Sequence, residues 1–246
     1  MKNVQFMHKK YRKNVQIIVK PSAIGSRAER SNIISMTKTQ KFLDTLLRSV
    51  LSGIMIGIGS IIYLSCDNKY IGAFLFGLGL FTILTFEFNL YTGKVGYATE
   101  NKSTYWGYLL IMWIGNFIGT FLTGVVISAT RVSPALTEKA RAICEIKLND
   151  NLISIFFLSL FCGMLMFIAA DGYKNLTNPV AQITVVFLPV MVFILSGFEH
   201  CVANMAYFTI GQVWSLNTLI YLLIMTAGNS IGGMLIPWAR KCFIKS

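Results

Sequence analysis

Four apolar stretches of the chain are each long enough to cross a lipid bilayer as a single helix. They cover residues 49–65, 105–127, 152–170 and 216–238, and one crossing takes about 20 residues. Residues 39–48 mix apolar with charged side chains, which is typical of an amphipathic helix that lies at the membrane surface and continues into the first span. The pattern therefore predicts an all-α integral membrane protein.

Two further apolar stretches stop short and are then interrupted. Residues 71–85 give way to the polar sequence Phe86-Glu-Phe-Asn-Leu-Tyr-Thr-Gly-Lys94, and residues 181–195 give way to Ser196-Gly-Phe-Glu-His200 before a second apolar run. A pair of interrupted hydrophobic segments in corresponding halves of a chain is typical of a transporter whose binding site lies near the bilayer midplane. We therefore predict six transmembrane helices, of which helices 2 and 5 are broken.

The two halves of the chain carry a weak internal repeat. Gly115-Asn-Phe-Ile-Gly119 recurs as Gly228-Asn-Ser-Ile-Gly232, 113 positions later, and Phe86-Glu-Phe88 resembles Phe198-Glu-His200, 112 positions later. Each half would contain three spans, an odd number, so the second half must be inverted relative to the first. The expected fold is therefore two inverted three-helix repeats.

Composition and charge agree with a membrane protein and assign its sides. The chain is 54% hydrophobic and 13% charged, with a mean hydropathy of +0.61, which excludes an ordinary soluble domain. Ten of its 22 Lys and Arg residues lie in the first 43 positions, so we expect a basic N-terminal arm (1–41), a transport domain (42–242) and a short tail (243–246). With both termini cytoplasmic, 17 cations face the cytoplasm and five face outward, as the positive-inside rule requires. The arm suits anionic membrane lipids. It lacks the interleaved aromatic platform of a nucleic-acid-binding arm.

The charged segment between the third and fourth spans has two interpretations. It holds Arg131, Lys139, Arg141 and Lys147, together with three acidic residues. It is either an ordinary solvated loop or a cationic vestibule that gathers anions.

His200 is the most costly residue of the apolar sequence, because an ionisable side chain at bilayer depth is rarely tolerated without a function.

Five scattered cysteines and two histidines show no ligand spacing, so we expect neither a metal nor a cofactor. A membrane enzyme using Glu199 and His200 is disfavoured because adjacent helical side chains point about 100° apart and no triad partner is near. An aquaporin-like channel for neutral solutes is the remaining alternative, although Asn178-Pro179 has no counterpart in segment 2.

The motifs resemble those of the formate/nitrite transporter family over residues 42–242. Gly197-Phe-Glu-His-Cys-Val-Ala-Asn-Met205 is similar to the family's GFEHxxANM signature, Asn89-Leu-Tyr-Thr-Gly93 to the loop that breaks its second helix, and Gly228-Asn229 to its last-helix motif. The resemblance implies an aquaporin-like protomer, a homopentamer in the cell membrane, and one pore in each protomer. It also implies that this protein is not an enzyme.

The resemblance also implies roles for individual residues. His200 would be the central histidine, Thr92 the loop threonine and Lys147 the lysine before the fourth span. We further expect Thr92 to orient the imidazole and Glu199 to accept from donors behind the site. The pathway would further include polar Asn204 and Asn229 and a constriction formed by Phe76, Phe193, Leu80, Leu90 and Tyr91.

The implied function is a channel or transporter for small monovalent anions of weak acids, of the formate, nitrite and hydrosulfide class, linked to protons. His200 would act as a neutral hydrogen-bond donor or as a proton source. Asn89, Gly93-Lys94 and Gly163 depart from the formate-type pattern, in which a glutamate precedes the loop and an asparagine lies in the fourth span. These departures make the chain resemble the hydrosulfide-conducting branch.

Overall fold

The structure, a computed structural model, describes residues 37–244, and nearly all of them are helical. In chain order the helices of this part are α1 (Lys38–Ser65), α2 (Lys69–Thr85), α3 (Tyr91–Lys94), which continues as a 3₁₀ helix (Val95–Glu100), α4 (Tyr105–Ser128), α5 (Ser133–Leu148), α6 (Leu152–Asn175), α7 (Pro179–Leu195), α8 (Cys201–Ile210) and α9 (Leu216–Ile244). Most of the predicted N-terminal arm and the end of the tail lie outside the described residues.

Helices α1, α4, α6 and α9 are long and apolar enough to cross a membrane. Large aliphatic side chains such as Val126 and Ile153 remain exposed on their surfaces, as expected where the surrounding solvent is lipid rather than water. The amphipathic residues 39–48 form the first turns of α1 without a break.

Helices α2 and α7 are each 17 residues long and end inside the apolar sequence. An asparagine caps the start of each, Asn68 for α2 and Asn178 for α7, and Pro179 suits the first position of α7 because that residue needs no N–H partner there. After a short non-helical stretch the chain resumes as α3 and as α8. Both interrupted segments are therefore pairs of shorter helices.

Two glycines allow the long helices to cross closely. A Cβ atom on Gly53 of α1 would lie 2.3 Å from the carbonyl oxygen of Asn116 in α4, and one on Gly163 of α6 would lie 2.2 Å from that of Asn229 in α9. Neither position has room for a side chain. The close contact also explains why an asparagine cannot replace Gly163 in this packing.

The segment between the third and fourth spans is not a loop, which corrects the first interpretation of its charges. Residues Ser133–Leu148 form helix α5, with Pro134 in its first turn. Leu136, Ala140 and Cys144 recur every four residues and are buried, so the helix has a narrow apolar stripe that its many charges obscure in the sequence.

Candidate functional site

One side chain, Asn116 of α4, stabilises the break between α2 and α3. Its amide oxygen accepts a hydrogen bond from the backbone N–H of Tyr91 at 2.8 Å. Its amide nitrogen donates to the carbonyls of Ser49 at 2.8 Å and Asn89 at 2.9 Å. The groups of Asn89 and Tyr91 are at the break, where the backbone lacks helical partners, whereas the carbonyl of Ser49 is in the middle of α1. Asn116 therefore replaces hydrogen bonds that the break removes and ties the break to α1.

Asn229 of α9 does the same for the break between α7 and α8. Its amide oxygen accepts from the N–H of Cys201 at 2.8 Å, and its nitrogen donates to the carbonyls of Ser159 at 2.7 Å and Glu199 at 2.8 Å. The side chain is fully buried and all three of these bonds are to backbone. In the described structure Asn229 thus supports the break from behind, like Asn116.

The two breaks correspond at an offset of 110 residues. The helices end at Thr85 and Leu195, and the backbone N–H groups of Asn89 and Glu199 donate to Arg48 and Leu158, respectively. The sequence match of Phe86–Phe88 with Phe198–His200 is therefore wrong by two positions. The match aligned the two identical Phe-Glu pairs. The backbone hydrogen bonds instead make Leu90 the counterpart of His200.

His200 and Thr92 meet between the two breaks. The Nε2 atom of His200 lies 2.8 Å from the hydroxyl oxygen of Thr92, and both side chains are buried. The Nδ1 atom of His200 accepts the backbone N–H of Ala203 and caps α8. Because Nδ1 is an acceptor, the neutral ring carries its proton on Nε2 and donates it to Thr92. The hydroxyl proton of Thr92 is then free to point at a ligand.

Aromatic rings close one side of this pair. The ring of Phe193 stacks on His200 with centroids 5.6 Å apart, and Phe76 meets Phe193 edge-on at 5.8 Å. Both phenylalanines are at most 4% exposed, so the polar pair lies against a dry apolar wall.

The other predicted constriction residues are also buried. Leu80 is on α2 one turn after Phe76, while Leu90 and Tyr91 are at the start of α3. The hydroxyl of Tyr91 lies 2.8 Å from that of Ser230 on α9. All of these residues belong to one buried cluster, so the site is occluded.

Glu199 forms a buried ion pair that the sequence did not indicate. Its carboxylate accepts from the ammonium of Lys147 at 2.6 Å and from the amide of Asn204 at 2.8 Å. The side chains of Lys147 and Glu199 are only 13% and 4% exposed. Lys147 is the last basic residue of α5, and 52 positions separate it from Glu199. The pair therefore fastens α5 to the second break and neutralises the Lys147 charge.

Asn204 leaves one acceptor unused. Its amide oxygen is buried and has no hydrogen-bond partner among the described residues. A buried unpaired acceptor is costly, so this oxygen is available to a donor that enters the site.

The structure brings together Thr92, His200, Phe76 and Phe193 in direct contact, and Glu199, Lys147 and Asn204 in a second group. Asn116 is the functional residue for which the sequence analysis predicted no role. The repeat of Gly115-Asn116 in Gly228-Asn229 was the signal that could have found it.

Apolar helices long enough to cross a bilayer, and two interrupted segments that meet at a buried polar centre, define a multi-pass membrane protein with its site inside the helical bundle. A sequence model of the family described as "Formate/nitrite transporter" matches residues 28–241. The chain belongs to the formate/nitrite transporter family, which confirms the resemblance.

Known relatives and structures agree with this assignment. The uncharacterized transporter YwcJ of Bacillus subtilis is 27% identical over 84% of this chain and 89% of its own length. The nitrite transporter NirC and the formate channel FocA of Escherichia coli are each 23% identical, over 75% and 78% of this chain and 77% and 74% of their own. A pentameric formate channel with formate bound shares the fold with a TM-score of 0.73 at 22% identity, over 85% of this chain and 99% of that one.

Proposed function

We propose that this protein conducts small monovalent anions of weak acids across the cell membrane, linked to proton uptake. The observation that carries the proposal is the contact between Thr92 and His200 in a dry site, which offers a hydroxyl proton to an anion. Relatives named as a nitrite transporter and formate channels support the substrate class.

The proton link follows from the cost of desolvation. A bare anion entering an apolar constriction loses several kcal/mol of hydration, and low polarity favours the neutral acid over its anion. In our proposal Thr92 and His200 hold the anion by hydrogen bonds while it takes up a proton from the aqueous side from which it entered, and the neutral acid then passes Phe76 and Phe193. His200 stays neutral, because a proton on Nδ1 would break its bond to Ala203.

We further propose that the protomer has six spans in two inverted repeats, with both termini cytoplasmic, and that five protomers assemble. Matching backbone contacts at the two breaks support the repeat, the distribution of cations supports the orientation, and the pentameric formate channel of the same fold supports the assembly. Anionic lipids of the cytoplasmic leaflet would contact the basic arm.

Among the candidate anions we propose hydrosulfide alongside formate and nitrite. The departures at Asn89 and Gly163 support this extension, and for Gly163 the tight contact with Asn229 gives a physical reason for the difference.

Reconstituted vesicles provide the test. Inward flux of formate, nitrite, lactate and hydrosulfide, followed by stopped-flow swelling, should rise as the outside pH falls. His200→Asn should flatten this pH response, because asparagine can still cap α8 but lacks the Nε2–H donor. Wild-type flux and pH dependence in His200→Asn would refute the role of His200.

Two further measurements complete the vesicle test. Thr92→Ser retains a hydroxyl and should keep most of the flux, whereas Thr92→Val should lose at least about tenfold, a loss of about 1.4 kcal/mol in transition-state stabilisation. Glycerol passing as fast as the anions would favour the aquaporin-like alternative.

A further inference from the structure

Lys94 is a cation next to the first break, and neither the sequence motifs nor the site assigns it a role. It ends the short helix α3, two residues after Thr92 and four after Leu90. Leu90 is the extended residue just before α3, so Lys94 is one helical turn beyond a predicted constriction residue. Its side chain is half-buried.

The ammonium of Lys94 has no acid or other acceptor within hydrogen-bond distance in residues 37–244. Its backbone carbonyl accepts from Tyr105, but this leaves the charge unpaired. Charged side chains near Lys94 include Lys174, Glu87 and Arg48. Arg48 is already paired with Asp44 at 2.9 Å. With Glu87 set against Lys94 and Lys174, the group as a whole carries one net positive charge.

A buried acid at the same end of the bundle is already occupied. The carboxylate of Asp171 accepts from Arg240 at 2.7 Å and from the hydroxyl of Tyr97 at 3.1 Å. The ammonium of Lys174 lies over the ring of Tyr97, 5.3 Å from its centroid. Asp171 is thus paired with Arg240 and Tyr97, and it does not neutralise Lys94.

The opposite end of the pathway has a different charge balance. Lys147 lies just before α6 begins, while Lys174 lies at its last turn, about 35 Å away for a helix of this length. Lys147 is neutralised by Glu199. At the 110-residue offset the counterparts of Glu199 and Asn204 are Asn89 and Lys94. The second break therefore pairs its acid with a lysine from outside the repeat, whereas the first has a lysine and no acid.

We propose that Lys94 is a binding site for the transported anion, at the end of the pathway opposite to Lys147. This inference rests on the proposed function and deepens it. The ammonium holds a small monovalent anion next to Leu90, and the neighbouring charge of Lys174 raises its local concentration. Anions entering from this end are captured at lower concentration than anions entering past the neutralised Lys147.

The test compares flux in right-side-out and inside-out membrane vesicles from the same cells, with formate and nitrite as probes. Lys94→Asn copies the residue found at the equivalent position of the second break and therefore suits the fold. It should raise the half-saturating anion concentration about fivefold from the Lys94 end, in line with one unit charge acting across a partly hydrated site, and leave the value from the other end unchanged. The rise should shrink in high salt.

Two controls separate charge from shape. Lys94→Arg should retain the wild-type value, and Lys102→Gln, which removes an exposed charge in the loop before α4, should change nothing. A wild-type half-saturation in Lys94→Asn, or an equal rise from both ends, would overturn the inference. Wild-type preference for anions over glycerol in the same vesicles tests the proposed function separately.

Discussion

The two helix breaks share a backbone but differ in the side chains they present. Asn116 and Asn229 make the same three kinds of contact, to a residue inside the gap, to the first residue of the helix after it and to a neighbouring helix. Where the second break has His200, which caps α8 through its ring, the first has Leu90, and α3 has no side-chain cap. The backbone hydrogen bonds that stabilise a break are thus independent of the side chains that the break presents to the site.

This independence explains how one site can be asymmetric. Once an asparagine on a third helix satisfies the backbone of a break, the side chains on either side of the gap can change without exposing unpaired groups. The second break contributes the histidine and an acid neutralised by Lys147, while the first contributes Thr92 and an unpaired Lys94.

The largest expected effect comes from removing the asparagines. Asn229→Ala and Asn116→Ala each leave one carbonyl and one N–H of a break without their partner in an apolar interior, and each removes a further bond to a carbonyl of a neighbouring helix. The loss should be about 3 kcal/mol, allowing for the modest strength of hydrogen bonds between membrane helices. In detergent this corresponds to a fall in melting temperature of about 10 °C.

A matched control is Asn175→Ala, which removes one hydrogen bond at the exposed end of α6 and should cost less than about 1 kcal/mol. If Asn116→Ala lost as little stability as this control while Asn229→Ala lost much more, the two breaks would not be stabilised in the same way.

Much of this scaffold could be predicted from hydropathy. The four long helices and the two interruptions follow from where apolar runs stop, because the bilayer fixes the length of a crossing. The charged helix α5 could not be found that way, since only three of its residues are buried. The partners of Asn116 could not be found either, because they are backbone carbonyls and an N–H, whose positions depend on how the helices pack.

The ion pair of Lys147 and Glu199 had no sequence signal for the same reason. Residues 52 apart meet only because α5 packs against α8. The alignment of the two breaks was wrong by two positions because the two identical Phe-Glu pairs do not occupy equivalent positions of the backbone.

An intermediate effect is expected from the ion pair that distinguishes the second break. Lys147→Met or Glu199→Gln alone leaves one polar partner poorly matched in a mostly buried position and should cost about 2 to 3 kcal/mol. The double variant should recover about half of this loss, because removing both charges avoids the unpaired one. Melting temperatures of the four proteins give the coupling. Additive losses would mean that the two residues act separately, and that Lys147 is free to attract anions as Lys94 is.

The smallest effect concerns the residue in each gap that has a left-handed backbone. Glu87 and its counterpart Gly197 both have left-handed backbones, with φ of 55° and 68°. Glycine adopts this conformation freely, whereas other residues pay about 1 kcal/mol. A Cβ on Gly197 would contact nothing within 4 Å, so Gly197→Ala should destabilise by about 0.5 kcal/mol, the backbone strain less the entropy that alanine removes from the unfolded chain. Glu87→Gly should instead stabilise by about 0.5 kcal/mol, since relief of strain exceeds the added entropy of the unfolded chain. Thermal melts should therefore move in opposite directions. A fall in both variants would mean that the Glu87 side chain contributes more to the first break than its strain costs.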